Sequence, residues 1–206
     1  MLKRLLGGLT VVTICGALLS GTAQAHVVVK PAEVLTASFQ TFTASTPNEK
    51  DIPVTGLKVV IPDGLKHVSP TVKPGWQIDI EKDGQGETAT VKSITWTGST
   101  IPTGFRDDFT FSAQVPAKTG ELHWRAYQTY EGGQVVAWDL SKDQQPKKAD
   151  GSPDFSTSGP FSITKITNEA AVAVKPTNAT SEWALPFAAV GVVLALGAIF
   201  LATRKN

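Results

Sequence analysis

Leu122-His123-Trp124-Arg125-Ala126-Tyr127 places Leu122, Trp124 and Ala126 on one side and His123, Arg125 and Tyr127 on the other. Successive side chains of a strand point to opposite faces of its sheet, so this run predicts a strand with one face in a core and one in water. The same two-residue period recurs at Leu57, Val59 and Ile61, and at Trp76, Ile78 and Ile80 against Gln77, Asp79 and Glu81. It recurs again at Phe109, Phe111, Ala113 and Val115. Turn residues separate these runs: Pro62-Asp63-Gly64, Pro74-Gly75, Asp83-Gly84 and Gly132-Gly133. Asp83-Gly84 predicts a hairpin with a loop longer than the two-residue ideal. No helical period of useful length lies between residues 26 and 167. About seven to nine short strands at this spacing predict an all-β fold, a β-sandwich of immunoglobulin or cupredoxin-like type, with a closed barrel as the alternative.

The two ends read differently. Lys3 and Arg4 precede an apolar stretch over residues 5–19, and Ala23-Gln24-Ala25 is an A-x-A cleavage pattern. Residues 1–25 are therefore expected to be a cleaved signal peptide, leaving His26 as the new amino terminus. Cys15, the one cysteine, and Met1, the one methionine, both fall in that segment. Ile14 in front of Cys15 does not suit a lipoprotein signal. A processed chain without thiols excludes disulfides and cysteine-ligated zinc, iron–sulfur or blue-copper sites. Residues 184–203 are uncharged and rich in Val, Leu, Ala and Gly, long enough for a transmembrane helix, and Arg204 and Lys205 follow at once. The expected topology is a domain over residues 26–166 on the extracytoplasmic side and a flexible stalk over 167–183. A single-pass anchor in the cell membrane over 184–203 and a cytoplasmic tail over 204–206 complete it.

With the four basic residues of those ends set aside, the remainder has 15 basic residues against 18 acidic. A nucleic-acid partner would call for a strongly basic surface, so that class finds no support. Residues 141–160 carry Pro146, Gly151, Pro153 and Gly159 and predict a long loop before a last strand near 161–166. Loops of that length are uncommon unless functional or mobile.

His26 holds the one histidine position with unusual chemistry. A free α-amine beside an imidazole allows the amine nitrogen and Nδ1 to close a six-membered chelate ring on one metal ion. The amine titrates near about 8, so a divalent metal displaces its proton readily around neutrality. Nitrogen donors in a tetragonal set favour Cu(II) among first-row ions. Neither an H-x-H nor an H-x-x-H pair occurs. His67 reads as a solvated loop residue and His123 as a strand-surface one. Glu33, Glu49, Glu121 and Asp139 are carboxylates that spacing does not rank.

The start His26-Val27-Val28-Val29-Lys30-Pro31-Ala32 resembles the YcnI family of membrane-anchored, extracytoplasmic copper-binding proteins. So do Asn48-Glu49-Lys50, Leu57-Lys58-Val59-Val60-Ile61-Pro62 and Pro74-Gly75-Trp76. Trp124-Arg125-Ala126-Tyr127-Gln128 and Val136-Ala137-Trp138 follow in the same order. The resemblance implies a β-sandwich that binds Cu(II) through a monohistidine brace, with His26 giving both nitrogens. It also implies Glu49 as the carboxylate ligand and Trp138 as the tryptophan beside the metal. A lone tryptophan ordinarily belongs to a core, and Trp76, Trp96 and Trp124 keep that reading.

The function implied is a non-enzymatic copper chaperone or buffer for a membrane copper transporter. A copper-dependent oxidative enzyme of monooxygenase type is one alternative, although such chemistry ordinarily completes its brace with a second histidine. Copper-resistance sandwich proteins also begin with histidine, but their internal Asp-x-His pattern is absent here. A metal-independent surface interaction domain is the remaining alternative.

Overall fold

A computed structural model describes residues 26–86 and 89–168. The expected signal peptide, nearly all of the stalk, the membrane helix and the tail lie outside the described residues. Among those described, no helix is long and apolar enough to cross a membrane.

Twelve strands are described: β1 (Val28–Lys30), β2 (Glu33–Leu35), β3 (Phe39–Pro47), β4 (Val54–Val60), β5 (Lys66–Pro70) and β6 (Gln77–Asp83), then β7 (Thr90–Ile101), β8 (Arg106–Gln114), β9 (Gly120–Tyr130), β10 (Val135–Leu140), β11 (Ser158–Pro160) and β12 (Ser162–Thr167). One sheet runs β1-β3-β8-β5; the other runs β11-β10-β9-β4-β7-β6, with β12 pairing β9 and β2. The closed-barrel alternative is thereby set aside in favour of two sheets. The long strand β9 organises the second of them. Its start pairs β12 (Ser162↔Trp124), and its end pairs β10 (Trp138↔Ala126).

The alternating runs do what their period predicts. Leu57, Val59, Phe109, Phe111, Ala113, Leu122, Trp124 and Ala126 are all buried. Across the gap between sheets, the Trp124 ring meets Phe42 at 4.9 Å and Phe111 at 5.6 Å, and Trp96 meets Phe109 at 5.3 Å. Burying large apolar rings supplies most of the favourable free energy of such a core. Trp124 donates its indole N–H to Thr164 Oγ1 at 3.0 Å, so this polar atom is not left unpaired. Two expectations need correction. The face made by Trp76, Ile78 and Ile80 is covered only at its start. Trp76 packs against Phe109 at 4.9 Å, but Ile80 is 36 % exposed. β6 is the last strand of the longer row, and Ile80 opens onto a cleft that it shares with Val68 and Pro70 of β5. His67 is exposed as expected, yet it lies in β5, where its φ of 51° breaks the pairing register with β8.

The first residues of the domain form part of the core. Val27 and Val29 are buried, and β1 pairs antiparallel with β3 through Val28↔Ser45 and Val29↔Ala44. β12 grips the same segment from the other side. Val29 N–H donates to Ser162 Oγ at 3.0 Å, and Thr164 Oγ1 donates to the Pro31 carbonyl at 2.7 Å. A segment tied on both sides holds His26, one residue ahead of Val27, at a fixed place.

Candidate metal centre

His26, half-buried at the head of β1, is enclosed by two aromatic rings. Trp138 of β10 lies 5.1 Å away at 68°, and Phe155 lies 4.6 Å away at 71°, both edge-to-face. The Nε2 atom is buried and has no hydrogen-bond partner. An orphaned imidazole nitrogen needs an explanation. If a metal takes Nδ1, the ring's proton is left on Nε2, and near-perpendicular aromatic faces are weak acceptors for an N–H. The donor set therefore fits a chelate made by Nδ1 and the α-amine.

Burial first, and the positive charge of Lys142 second, push the His26 imidazole below its ordinary value of 6.5. A neutral ring is the form that binds metal. Between 6.5 and the lower folded value, the unfolded chain takes up the proton and the folded one does not. Stability accordingly falls as pH drops through that window and levels off beneath it. Nuclear magnetic resonance titration of the full-length chain should give a His26 midpoint below 6.5; a midpoint at or above it contradicts the burial described here.

Trp138 is 2 % exposed, as a core residue is, and its ring also lies against His26. Its indole N–H donates to Gln128 Oε1 at 3.2 Å. In the parallel ladder it faces Gly159 of β11, and a Cβ at Gly159 would fall on the six-membered part of the indole. Only glycine leaves room for the ring there.

Glu49 lies beyond the end of β3, on the exposed rim of a cleft of about 310 Å³ whose walls include Trp138, Phe155, Tyr130 and Lys50. Its loop is built by Asn48, which is buried. The Asn48 amide donates to the carbonyls of Ile52 (3.0 Å) and Ile101 (2.9 Å), while its Oδ1 accepts from Lys50 N–H at 3.1 Å. Burial and then the charge of Glu49 push the Tyr130 phenol up to about 12, so it stays protonated. Lys50 sits 4.7 Å over the Tyr130 ring and donates to the Ser156 carbonyl at 3.1 Å.

Trp138 and Phe155 thus connect the two predicted ligands: both rings meet His26, and both line the cleft bearing Glu49. His26 itself does not line that cleft. Among the described residues no three His, Cys, Asp or Glu side chains gather in a metal-holding group. The other histidines have other partners. His123 pairs with Glu121 at 3.1 Å and stacks on Phe161, and His67 lies 6.1 Å from Phe39.

The residue that sequence reasoning missed is Phe155. The long segment over 141–160 is closed by an isolated bridge, Lys147↔Pro153, and by Asp154 N–H donating to the Pro146 carbonyl at 2.8 Å. That closure sets Phe155 against His26. A loop has no period to mark which side chain turns inward, so the one available signal was a lone aromatic in a polar stretch.

Known proteins resemble this chain in sequence and in fold. The 36 %-identical "Copper-binding protein CutI" of Bacillus subtilis (strain 168) aligns over 159 residues, 75 % of this chain and 70 % of that protein. A crystal structure of an uncharacterized Nocardia farcinica protein with an immunoglobulin-like fold superposes with a TM-score of 0.55 at 23 % identity. It covers 70 % of this chain and all of that one, which supports the immunoglobulin-like reading of the sandwich. The family described as "Domain of unknown function (DUF1775)" matches residues 26–156, from the histidine at the head of β1 to just past Phe155. With most of the domain covered by that match and by the relative, the chain belongs to the DUF1775, or YcnI-like, family.

Proposed function

We propose that this is an extracytoplasmic Cu(II)-binding protein, a chaperone or buffer for a membrane copper transporter. It is held at the cell membrane by a helix over residues 184–203. Removal of residues 1–25 frees the His26 α-amine, which joins Nδ1 in a monohistidine brace. Glu49 adds an anionic oxygen and offsets the ion's charge, and Trp138 walls off one side. The observation that carries this reading is the His26 ring, positioned by a core strand and enclosed by Trp138 and Phe155 beside the Glu49 cleft. The name of the relative CutI supports copper as the cargo.

The donors are two nitrogens and an oxygen, and the processed chain has neither cysteine nor methionine to suit Cu(I). A non-enzymatic role is supported by the name of the relative CutI and by the partners of the other histidines, Glu121 and Phe161 for His123 and Phe39 for His67. Calorimetric titration of the exported, processed protein with Cu(II) and, anaerobically, with Cu(I) tests the reading. Cu(II) is expected to bind at one site at least about a hundredfold more tightly. Equal affinities, or no binding of Cu(II), would contradict it.

A further inference from the structure

We propose that Gln128 is a positioning residue that couples the tryptophan wall of the metal site to the loop carrying the carboxylate. The inference rests on the copper reading given above. Gln128 is 0 % exposed, on the face of β9 that also buries Ala126 and Tyr130. A carboxamide is costly to bury unless both its ends are paired, and here both are. Oε1 accepts the Trp138 indole N–H at 3.2 Å, and Nε2 donates to the Pro47 carbonyl at 2.7 Å.

Those two partners belong to different sheets. Trp138 is in β10, beside β9, and Pro47 closes β3 in the facing sheet. The residue after Pro47 is Asn48, whose side chain builds the turn displaying Glu49. A continuous path of bonded groups therefore runs from the Trp138 ring through one amide to the base of the Glu49 loop. Glutamine accepts and donates through one planar, uncharged group. Leucine would fill the space but would orphan both the indole N–H and the carbonyl. An ionised glutamate could still accept from Trp138 but could not donate to Pro47, so Gln128→Glu is read at a pH above the point where its buried carboxyl loses its proton.

The test compares Gln128→Leu and Gln128→Glu in the processed protein, its His26 terminus verified by mass spectrometry. Without copper, nuclear magnetic resonance should show faster exchange of the Trp138 indole proton in Gln128→Leu only. Shifted amide signals at Glu49 and Lys50 should appear in both variants. With copper, Cu(II) affinity should fall by about tenfold in Gln128→Leu, with altered paramagnetic resonance parameters, and by less in Gln128→Glu. A purely structural residue would lower the melting temperature while leaving the Glu49 and Lys50 amides, the affinity of the folded protein and the copper spectrum unchanged. That result overturns the proposal. Should Gln128→Leu fail to fold, the Gln128→Glu amide shifts and affinity decide it alone. If the unaltered protein binds no Cu(II), the copper reading is the one that fails, and the copper-free signals still decide the coupling.

Discussion

One extra residue ahead of His26 is expected to weaken Cu(II) binding by at least about a hundredfold, about 2.7 kcal/mol, while leaving the fold intact. The amine and Nδ1 belong to one residue, so once either nitrogen binds, the second acts intramolecularly at a high effective concentration. Extension turns the amine into an amide, which has no lone pair to offer without losing a proton. The imidazole, still held between Trp138 and Phe155, would remain as a single donor. Folding should not suffer, because the added residue precedes Val27, the first buried position of the core segment. His26→Ala keeps the amine and loses the imidazole, and should be impaired comparably. Competition against a chromophoric chelator measures both variants; a loss below about threefold in either would mean that this pair of donors is not the site.

The second large effect is expected at Gly159. Gly159→Ala should lower stability by about 2–3 kcal/mol and disturb copper binding together, because the ring it displaces is both a core side chain and the wall of the proposed site. The new methyl would occupy the space of the Trp138 ring. That ring cannot slide aside cheaply, since its N–H is bonded to the buried Gln128 and His26 and Phe155 pack against it. Either the indole leaves its pocket or β11 separates from β10. Gly120→Ala is the matched control: it is a strand glycine where nothing lies within 4 Å of the added carbon. Chemical denaturation should find the control within about 0.5 kcal/mol of the parent. Equal effects at the two glycines would show that the close packing on Trp138 is not what makes Gly159 necessary.

The frame was legible in the sequence because a sandwich strand shows one face to the core. Leu122, Trp124 and Ala126 alternate for that reason, and their burial follows. The same rule failed at Ile80 because alternation reports a face without reporting how closely the facing strand packs on it. Among the site residues, His26 was conspicuous by chemistry alone, whereas Glu49 and Trp138 were nominated only by likeness to a family. Three supporting features were not legible. Phe155 lies in a loop without period, Gly159 reads like any loop breaker, and Gln128 is a polar residue that only its two partners make suitable for a core. All three act through contacts between segments far apart in the chain.

In the proposed centre one residue, His26, gives copper every nitrogen it binds. Electron paramagnetic resonance of the Cu(II)-loaded processed protein, produced with 15N-labelled histidine, tests this directly. The strongly coupled nitrogens should all convert from the 14N to the 15N pattern, two in number, and should be unaffected by His67→Ala or His123→Ala. A directly bound nitrogen that keeps its 14N pattern, or one lost with either of those substitutions, would contradict it.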